Sequence, residues 1–350
     1  SWTFADVWEA IAAVQPERAA FIQGARTISW GEFDARADAL AAHLIAKGLD
    51  QQAKVAAFLY NGPEYIETYY AAFKGGFAPV NTNYRYGPEE LFYLFDNADA
   101  QAVVFHAEFT GVLERIRGRL TKVKAWVAVA EPGHPVPAWA DDYDAIVAQA
   151  PASRPAKAPW GRSGDDLLML YTGGTTGMPK GVRHLHSNLA ATADTYAKQV
   201  LGIREDDVGL SAAKLFFAYG LGNALTFPMS VGATTVLNAD RPTPARMFEL
   251  MRRYNPSIFF GVPTLFASML NDEAMKSESG GTKLRICTSA GEALPESVGN
   301  AWKSRFGADI LDGVGSTELL HIFLSNSPDG IKYGSSGLPV PRYLVGLVNG

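Results

Sequence analysis

Four short apolar runs do most to limit what this chain can fold into: Val55-Ala56-Ala57-Phe58-Leu59, Phe77-Ala78-Pro79-Val80, Ala102-Val103-Val104-Phe105 and Leu167-Leu168-Met169-Leu170. The first is continuous rather than alternating, as a strand buried on both faces should be. The others read as short strands of the same kind. Helical patterns separate them. Ser29-Trp30-Gly31-Glu32 has the spacing of a capping box, and Phe33, Ala37, Leu40 and Leu44 follow on one face until Gly48. A second helix is expected over about 64–73, and Pro88-Glu89-Glu90-Leu91 opens a third. Strand, helix, strand, helix is the rhythm of an α/β fold with a mainly parallel sheet.

Size and charge narrow the functions such a fold could serve. At 350 residues the chain is long enough for about two or three domains or subdomains of ~150 residues each. Hydrophobic residues at 47% and charged ones at 19% support a large core and exclude a disordered chain. With 31 basic and 36 acidic residues the net charge is −5, the wrong sign for a nucleic-acid binder. A single cysteine, Cys287, excludes a disulfide scaffold and a multi-cysteine metal site, and reads as packing. The first residues show neither a basic nor an apolar signal region. The uncharged stretch 215–237 is long enough to imitate a membrane span, but Gly220, Gly222, Asn223, Pro228 and Gly232 interrupt it. A buried loop, helix and strand are expected there, in a cytoplasmic protein with no membrane insertion. The prolines between 131 and 164 mark a surface connection, which ends a first subdomain at about 165.

The most informative segment follows the strand at 167–170: Tyr171-Thr172-Gly173-Gly174-Thr175-Thr176-Gly177-Met178-Pro179-Lys180-Gly181. Glycines let the backbone turn tightly and aim several N–H groups at one anion. Thr172, Thr175 and Thr176 add hydroxyls, and Lys180 adds a positive charge. A polyphosphate is the ligand such a loop suits, against the plainer reading of a hairpin merely rich in Gly and Thr. Walker A is excluded because Lys180 lies between Pro179 and Gly181. No Gly-x-Ser-x-Gly elbow occurs, and the glycine pairs at 220/222 and 313/315 lack the third glycine of a dinucleotide fingerprint.

The loop resembles the phosphate-binding motif of the adenylate-forming superfamily, with Gly173 where a serine is usual. Four further segments resemble that family in order. Lys214-Leu215-Phe216-Phe217-Ala218-Tyr219-Gly220 is similar to its acyl-pocket motif. Thr288-Ser289-Ala290-Gly291-Glu292-Ala293-Leu294-Pro295 is similar to the segment beside the adenine. Asp312-Gly313-Val314-Gly315-Ser316-Thr317-Glu318 is similar to the motif ending in Thr-Glu. Gly334-Ser335-Ser336-Gly337-Leu338-Pro339-Val340-Pro341 is similar to the entry of the next subdomain. The resemblance implies a large N-terminal domain of two α/β subdomains with mainly parallel sheets, 1–165 and 166–330, and the start of a small β-barrel subdomain at 331–350.

It also implies a reaction. A carboxylate attacks the α-phosphorus of ATP, giving an acyl-adenylate and pyrophosphate, and coenzyme A then takes the acyl group. Thr172, Gly173, Gly174, Thr175, Thr176 and Gly177 would bind the nucleotide, with Thr175, Thr176 and Lys180 on its β- and γ-phosphates. Thr317 would touch the α-phosphate and Glu318 would hold Mg²⁺. Gly291, Glu292, Ala293, Asp312, Gly313 and Val314 would flank the nucleotide. Phe217, Ala218, Tyr219, Ala290, Gly291, Gly313, Gly315 and His321 would line the acid pocket. His321 also reads as an ordinary core histidine, and Phe216, Phe217 and Tyr219 as ordinary core aromatics. His184 and His186 alternate on an expected strand, too few for a zinc site, with an approach to the acyl site as the sharper reading.

Residues 81–86 and the loop look most like fatty acyl-CoA ligases, whereas the chain from about Arg183 onward looks like benzoate-CoA ligases. Because the pocket comes mostly from the second half, an aromatic acid is the expected substrate and a fatty acid the alternative. A nucleotide- or acyl-binding module with little activity is a third reading; a homodimer is compatible with each. The family's C-terminal domain supplies a ribose-binding Asp in a Thr-Gly-Asp motif and a catalytic Lys. Neither is found here, and Leu338 and Arg342 stand where Lys and Gly are usual. The chain is therefore expected to bind nucleotide but to adenylate slowly.

Overall fold

The computed structural model describes residues 2–163, 167–172 and 177–348. It divides into two compact units, 1–19 with 27–188, and 20–26 with 189–350.

The first unit is built on a sheet in the order Asp141–Asp142, Ala125–Val129, Ala100–His106, Lys54–Phe58, Ala78–Asn81, Leu167–Tyr171, Gly181–Leu185. All neighbours are parallel except the last pair, an antiparallel hairpin from Leu167↔Leu185 to Tyr171↔Gly181. The apolar runs read from the sequence are its central strands, within one or two residues. One face carries a core of Phe58, Val80, Leu91, Leu94, Phe95, Val103 and Phe105. The helix expected from the Ser29 cap spans Trp30–Ala46, with the Ser29 hydroxyl accepting from Glu32 N–H at 3.2 Å.

Helix Pro63–Gly75 is buried along its whole length, yet it carries Glu67 and Lys74. An apolar setting tolerates such charges only when they are paired. The Lys74 ammonium lies 2.9 Å from Glu9, 2.7 Å from Asp34 and 2.8 Å from Asp38. Glu67 takes a two-pronged contact from Arg36, at 2.7 and 3.1 Å, and a hydrogen bond from the Tyr143 hydroxyl.

The proline-rich stretch from 131 to 164 is tied to this unit. Arg154 bonds Asp38 and Asp34 at 2.8 and 2.9 Å, the Ala156 N–H donates to Asp38, Trp160 donates to the Gly75 carbonyl, and Arg162 binds Glu9 and Asp6. The division between units falls at 188/189, where the sequence suggested 165/166. The physical reason is strand pairing: Leu167–Tyr171 adds beside Ala78–Asn81, with Val80 opposite Met169, and brings the phosphate-loop hairpin into the first unit.

The second sheet runs Leu338–Pro339, Ile322–Ser325, Asp309–Gly315, Ile286–Ser289, Ile258–Gly261, Val208–Ser211, Thr234–Val236, Ala19–Gln23, Arg26–Ser29. From Asp309–Gly315 to Ala19–Gln23 every pairing is parallel; the first two strands join antiparallel. Phe248, Phe259, Phe266, Cys287 and Trp302 pack one face, so Cys287 is a core residue whose thiol burial pushes well above its ordinary range. The stretch 215–237 folds as short helical turns and the strand Thr234–Val236. Among the described residues no helix is long and apolar enough to cross a membrane. Leu338–Pro339 extends this open sheet, and no closed barrel forms among the described residues.

Candidate active site

In the first unit the strand Leu167–Tyr171 leads into the phosphate loop and Gly181–Leu185 leads out. Gly173, Gly174, Thr175 and Thr176 lie outside the described residues. The neck is described. Thr172 N–H donates to the Lys180 carbonyl at 3.0 Å, and Lys180 N–H donates to the Thr172 hydroxyl at 3.0 Å. Pro179 is buried, while Gly177 and Lys180 are exposed. A hairpin was the plain alternative to a phosphate cradle, and the strands flanking the segment do pair antiparallel. Lys180 is exposed beside this pinned neck, so the two readings are compatible.

His184 and His186 do not share a strand face. His186 opens the helix His186–Thr192, accepts from Phe4 N–H at 3.1 Å and packs edge-on against Phe73. Burial lowers its pKa to about 4. It is a core residue of the first unit, and the approach to an acyl site is corrected for it. His184 is buried on the strand Gly181–Leu185.

In the second unit the parallel strands bring the remaining segments to one edge. Val208–Ser211, Ile286–Ser289 and Asp309–Gly315 all run the same way. Their carboxyl ends lead to 214–220, to 290–293 and to 313–318. Ligands of open α/β sheets bind outside such ends. Phe217 is exposed and precedes the short helix Ala218–Leu221. The Tyr219 hydroxyl lies 2.7 Å from the Thr288 hydroxyl and donates to the Gly261 carbonyl at 3.0 Å, which ties 218–221 to two strand ends. Lys214 is buried, its ammonium donating to the carbonyls of Asn238 and Asp240.

His321 lies under this edge. Its Nε2 is 3.0 Å from Asn223 Oδ1 and 3.2 Å from the Tyr219 carbonyl. Both are acceptors, so Nε2 carries the proton. Rings of Tyr196, Tyr219 and Phe227 surround it at 4.4–5.4 Å between centroids. A Cβ on Gly222 would stand 2.4 Å from His321 Cδ2, and one on Gly315 would stand 2.7 Å from its carbonyl oxygen. Both glycines are required by close approach. Gly313 is equally confined, against Ile322.

Burial lowers the His321 pKa to about 3, so the ring stays neutral in the folded protein. The sign of the linkage follows. Below pH ~6.5 the unfolded chain takes up a proton that the folded chain refuses, so stability falls as pH falls toward 3. About 2 kcal/mol should be lost to this group between pH 6.5 and 5. His186 acts in the same direction. Urea midpoints at pH 7 and pH 5 should show the loss, with a shallower slope in His321→Gln.

Ala290 is buried, whereas Gly291, Glu292 and Ala293 are exposed. Asp312 is buried. Its Oδ2 accepts from Leu294 N–H at 3.4 Å and Ser336 at 3.2 Å, its Oδ1 has no partner, and burial raises its pKa. Val314 is exposed beside a register shift that interrupts the pairing at Val314 and Gly315. Beyond it the chain makes a tight turn. Leu320 N–H donates to the Thr317 carbonyl at 3.1 Å and Leu319 N–H to the Ser316 hydroxyl at 3.2 Å. Glu318 is a central residue of this turn, exposed to solvent. Leu320 closes it at φ +70°, a strained conformation for a bulky residue, and anchors it with a buried side chain.

The Thr172–Lys180 neck thus belongs to one unit and Tyr219, His321, Thr317 and Glu318 to the other. Asn223, Tyr196 and Gly222 were missed as site residues by sequence reasoning. A buried amide in an apolar run was the available signal for Asn223.

The chain matches the model of the family described as AMP-binding enzyme over residues 8–350. It is 45% identical over 302 residues to the benzoate–CoA ligase of Thauera aromatica, covering 86% of this chain and 56% of that protein. It is 39% identical over 330 residues to the 4-hydroxybenzoate–CoA/benzoate–CoA ligase of Rhodopseudomonas palustris, covering 94% and 60%. A solved structure of the anthranilate CoA ligase AuaEII with anthranoyl-AMP superposes with a TM-score of 0.93 at 31% identity, covering 99% of this chain and 66% of that one. A benzoate CoA ligase structure from Burkholderia xenovorans LB400 superposes with a TM-score of 0.86 at 35% identity. The chain spans 56% and 60% of the two curated relatives. With a family model matched along nearly its whole length, the chain belongs to the AMP-binding enzymes.

Proposed function

We propose that this chain carries the ATP-dependent activation of an aromatic carboxylic acid, benzoate or a close derivative, for transfer to coenzyme A. One observation carries the reading. Parallel strands end in the segments 214–220, 290–293 and 313–318 along one edge of the sheet, and Tyr219 and His321 meet there among the rings of Tyr196 and Phe227. Clustered aromatic rings, with Gly222 and Gly315 packed closely on His321, suit a planar ring better than a flexible alkyl chain. The neutral His321, its proton engaged by Asn223, adds no charge to repel or attract a carboxylate. The similarity to benzoate–CoA and hydroxybenzoate–CoA ligases supports the same substrate class.

At neutral pH the acid is already a carboxylate, so no general base is needed. The barrier is the approach of two anions, and the protein's part is charge neutralisation and alignment. Thr172, Thr175, Thr176 and Lys180, with Gly173, Gly174 and Gly177 between them, would hold the outer phosphates. Thr317 would hold the α-phosphate. Gly291, Glu292 and Ala293, with Asp312, Gly313 and Val314, would flank the nucleoside. Phe217 would complete the pocket mouth. The exposed carboxylate of Glu318 is an oxygen donor of the kind Mg²⁺ prefers, and the metal would offset phosphate charge.

Acid-dependent ATP–pyrophosphate exchange tests the proposal. Benzoate and substituted benzoates are expected to stimulate exchange, and long-chain fatty acids are not. Stimulation by fatty acids alone would overturn the aromatic reading. Absence of exchange, together with no binding of a non-hydrolysable benzoyl-AMP mimic, would overturn the activity itself.

A further inference from the structure

The phosphate loop's neck is held from outside by one face of the helix Pro88–Asn97. Tyr93 and Asn97 stand four residues apart and so share that face. Asn97 Oδ1 accepts from the Tyr171 hydroxyl at 2.7 Å, which holds the leg entering the loop. The Tyr93 hydroxyl donates to the Pro179 carbonyl at 3.1 Å, which holds the leg leaving it. The entering leg is also gripped by Asn81, whose Oδ1 accepts from Tyr171 N–H at 2.7 Å and whose Nδ2 donates to the Tyr171 carbonyl at 3.4 Å.

The peptide unit between Pro179 and Lys180 is the important one. A peptide is planar, with one acceptor and one donor on opposite sides. Here the acceptor is taken by Tyr93 and the donor by the Thr172 hydroxyl. With both edges held, the plane cannot rotate, and the direction in which the Lys180 side chain leaves the backbone is set. Pro179 is buried and supplies no N–H of its own, so its carbonyl is the only polar backbone group through which that residue can be held. A residue needed merely to close the sheet edge would have no reason to engage this particular carbonyl.

We propose that Tyr93 is a positioning residue for ATP: its hydroxyl, acting through the Pro179–Lys180 peptide, aims the Lys180 ammonium at the outer phosphates. The proposal rests on the phosphate-binding reading of the loop given above. Losing one neutral hydrogen bond of this kind weakens a dependent interaction by about 3- to 10-fold. Tyr93→Phe keeps the ring and is expected to raise the dissociation constant for ATP, measured by calorimetry on the whole chain, by that factor. AMP, which lacks the phosphates concerned, should bind within about 2-fold of the parent value.

Three controls separate positioning from support. In a Lys180→Ala background the effect of Tyr93→Phe on ATP should vanish. The Lys180 amide should exchange its hydrogen faster in Tyr93→Phe, a readout that needs no nucleotide. The melting temperature should change little. Equal weakening of ATP and AMP, an effect that persists without Lys180, or unchanged amide exchange would each overturn the proposal while leaving the activity intact. A parent chain that binds no ATP would overturn the phosphate-loop reading, and this proposal with it.

Discussion

A Glu318→Gln variant is expected to lose about 100-fold in benzoate-dependent pyrophosphate exchange while melting at the parent temperature. The two halves of that expectation come from different features. Glu318 is a central, exposed residue of the turn closed by the Leu320-to-Thr317 hydrogen bond, and the buried Leu320 side chain anchors that turn without it. Glutamine has the same shape and can occupy the same turn, so folding should be indifferent to the exchange. The chemistry should not be. A carboxylate binds a hard divalent cation far better than an amide does. Removing a charge that serves the developing phosphoryl anion typically costs 10²-fold or more. Raised Mg²⁺ should recover part of the loss. A variant within a few-fold of the parent would remove Glu318 from the reaction.

The largest stability effect should come from Lys74→Met. Lys74 is fully buried and faces Glu9, Asp34 and Asp38 at 2.7–2.9 Å. Methionine fills the same volume, so packing is nearly preserved and the change is electrostatic. Three carboxylates would lose a shared ammonium, leaving Asp34 and Asp38 with Arg154 alone and Glu9 with Arg162 alone, and Asp38, itself 1% exposed, could not turn to water. Removing one cation from a buried cluster that keeps Arg154 and Arg162 costs about 1–3 kcal/mol. Urea denaturation followed through tryptophan fluorescence should show it, since Trp8 packs against Tyr70 and Phe73 on the helix that carries Lys74. Adding Asp34→Asn should recover part of the loss, because the two sites are coupled rather than additive. A loss below 1 kcal/mol for Lys74→Met would show that the cluster is solvated in solution.

Much of the first unit was readable before any coordinates. Continuous apolar runs such as Val55–Leu59 announce central strands because both faces of a parallel sheet are covered, and Ser29 announces a helix because its hydroxyl can accept an orphan N–H. What was not readable depended on long-range pairing. Nothing in residues 167–185 says that they pair with Ala78–Asn81, and that pairing moved the unit boundary. Lys74 sits in a stretch whose partners at Glu9, Asp34 and Asp38 come from distant sequence. The motifs around 214–220, 288–295 and 312–318 were legible as segments; that parallel strands deliver them to one edge of a sheet was not. Asn223 was noted only as an interruption of an apolar run, because a buried amide declares its partner, His321, only in the fold.

The contact between Gly222 and His321 also bears on redesign of the acid pocket. With 2.4 Å available where a methyl group would go, the imidazole leans directly on main chain and has no compressible neighbour on that side. The two positions therefore behave as a single steric unit. An engineer who trims residue 321 to admit a bulkier acid opens a gap that alanine at 222 could refill. Installing that alanine first, with the imidazole still in place, would push the ring off its amide partner.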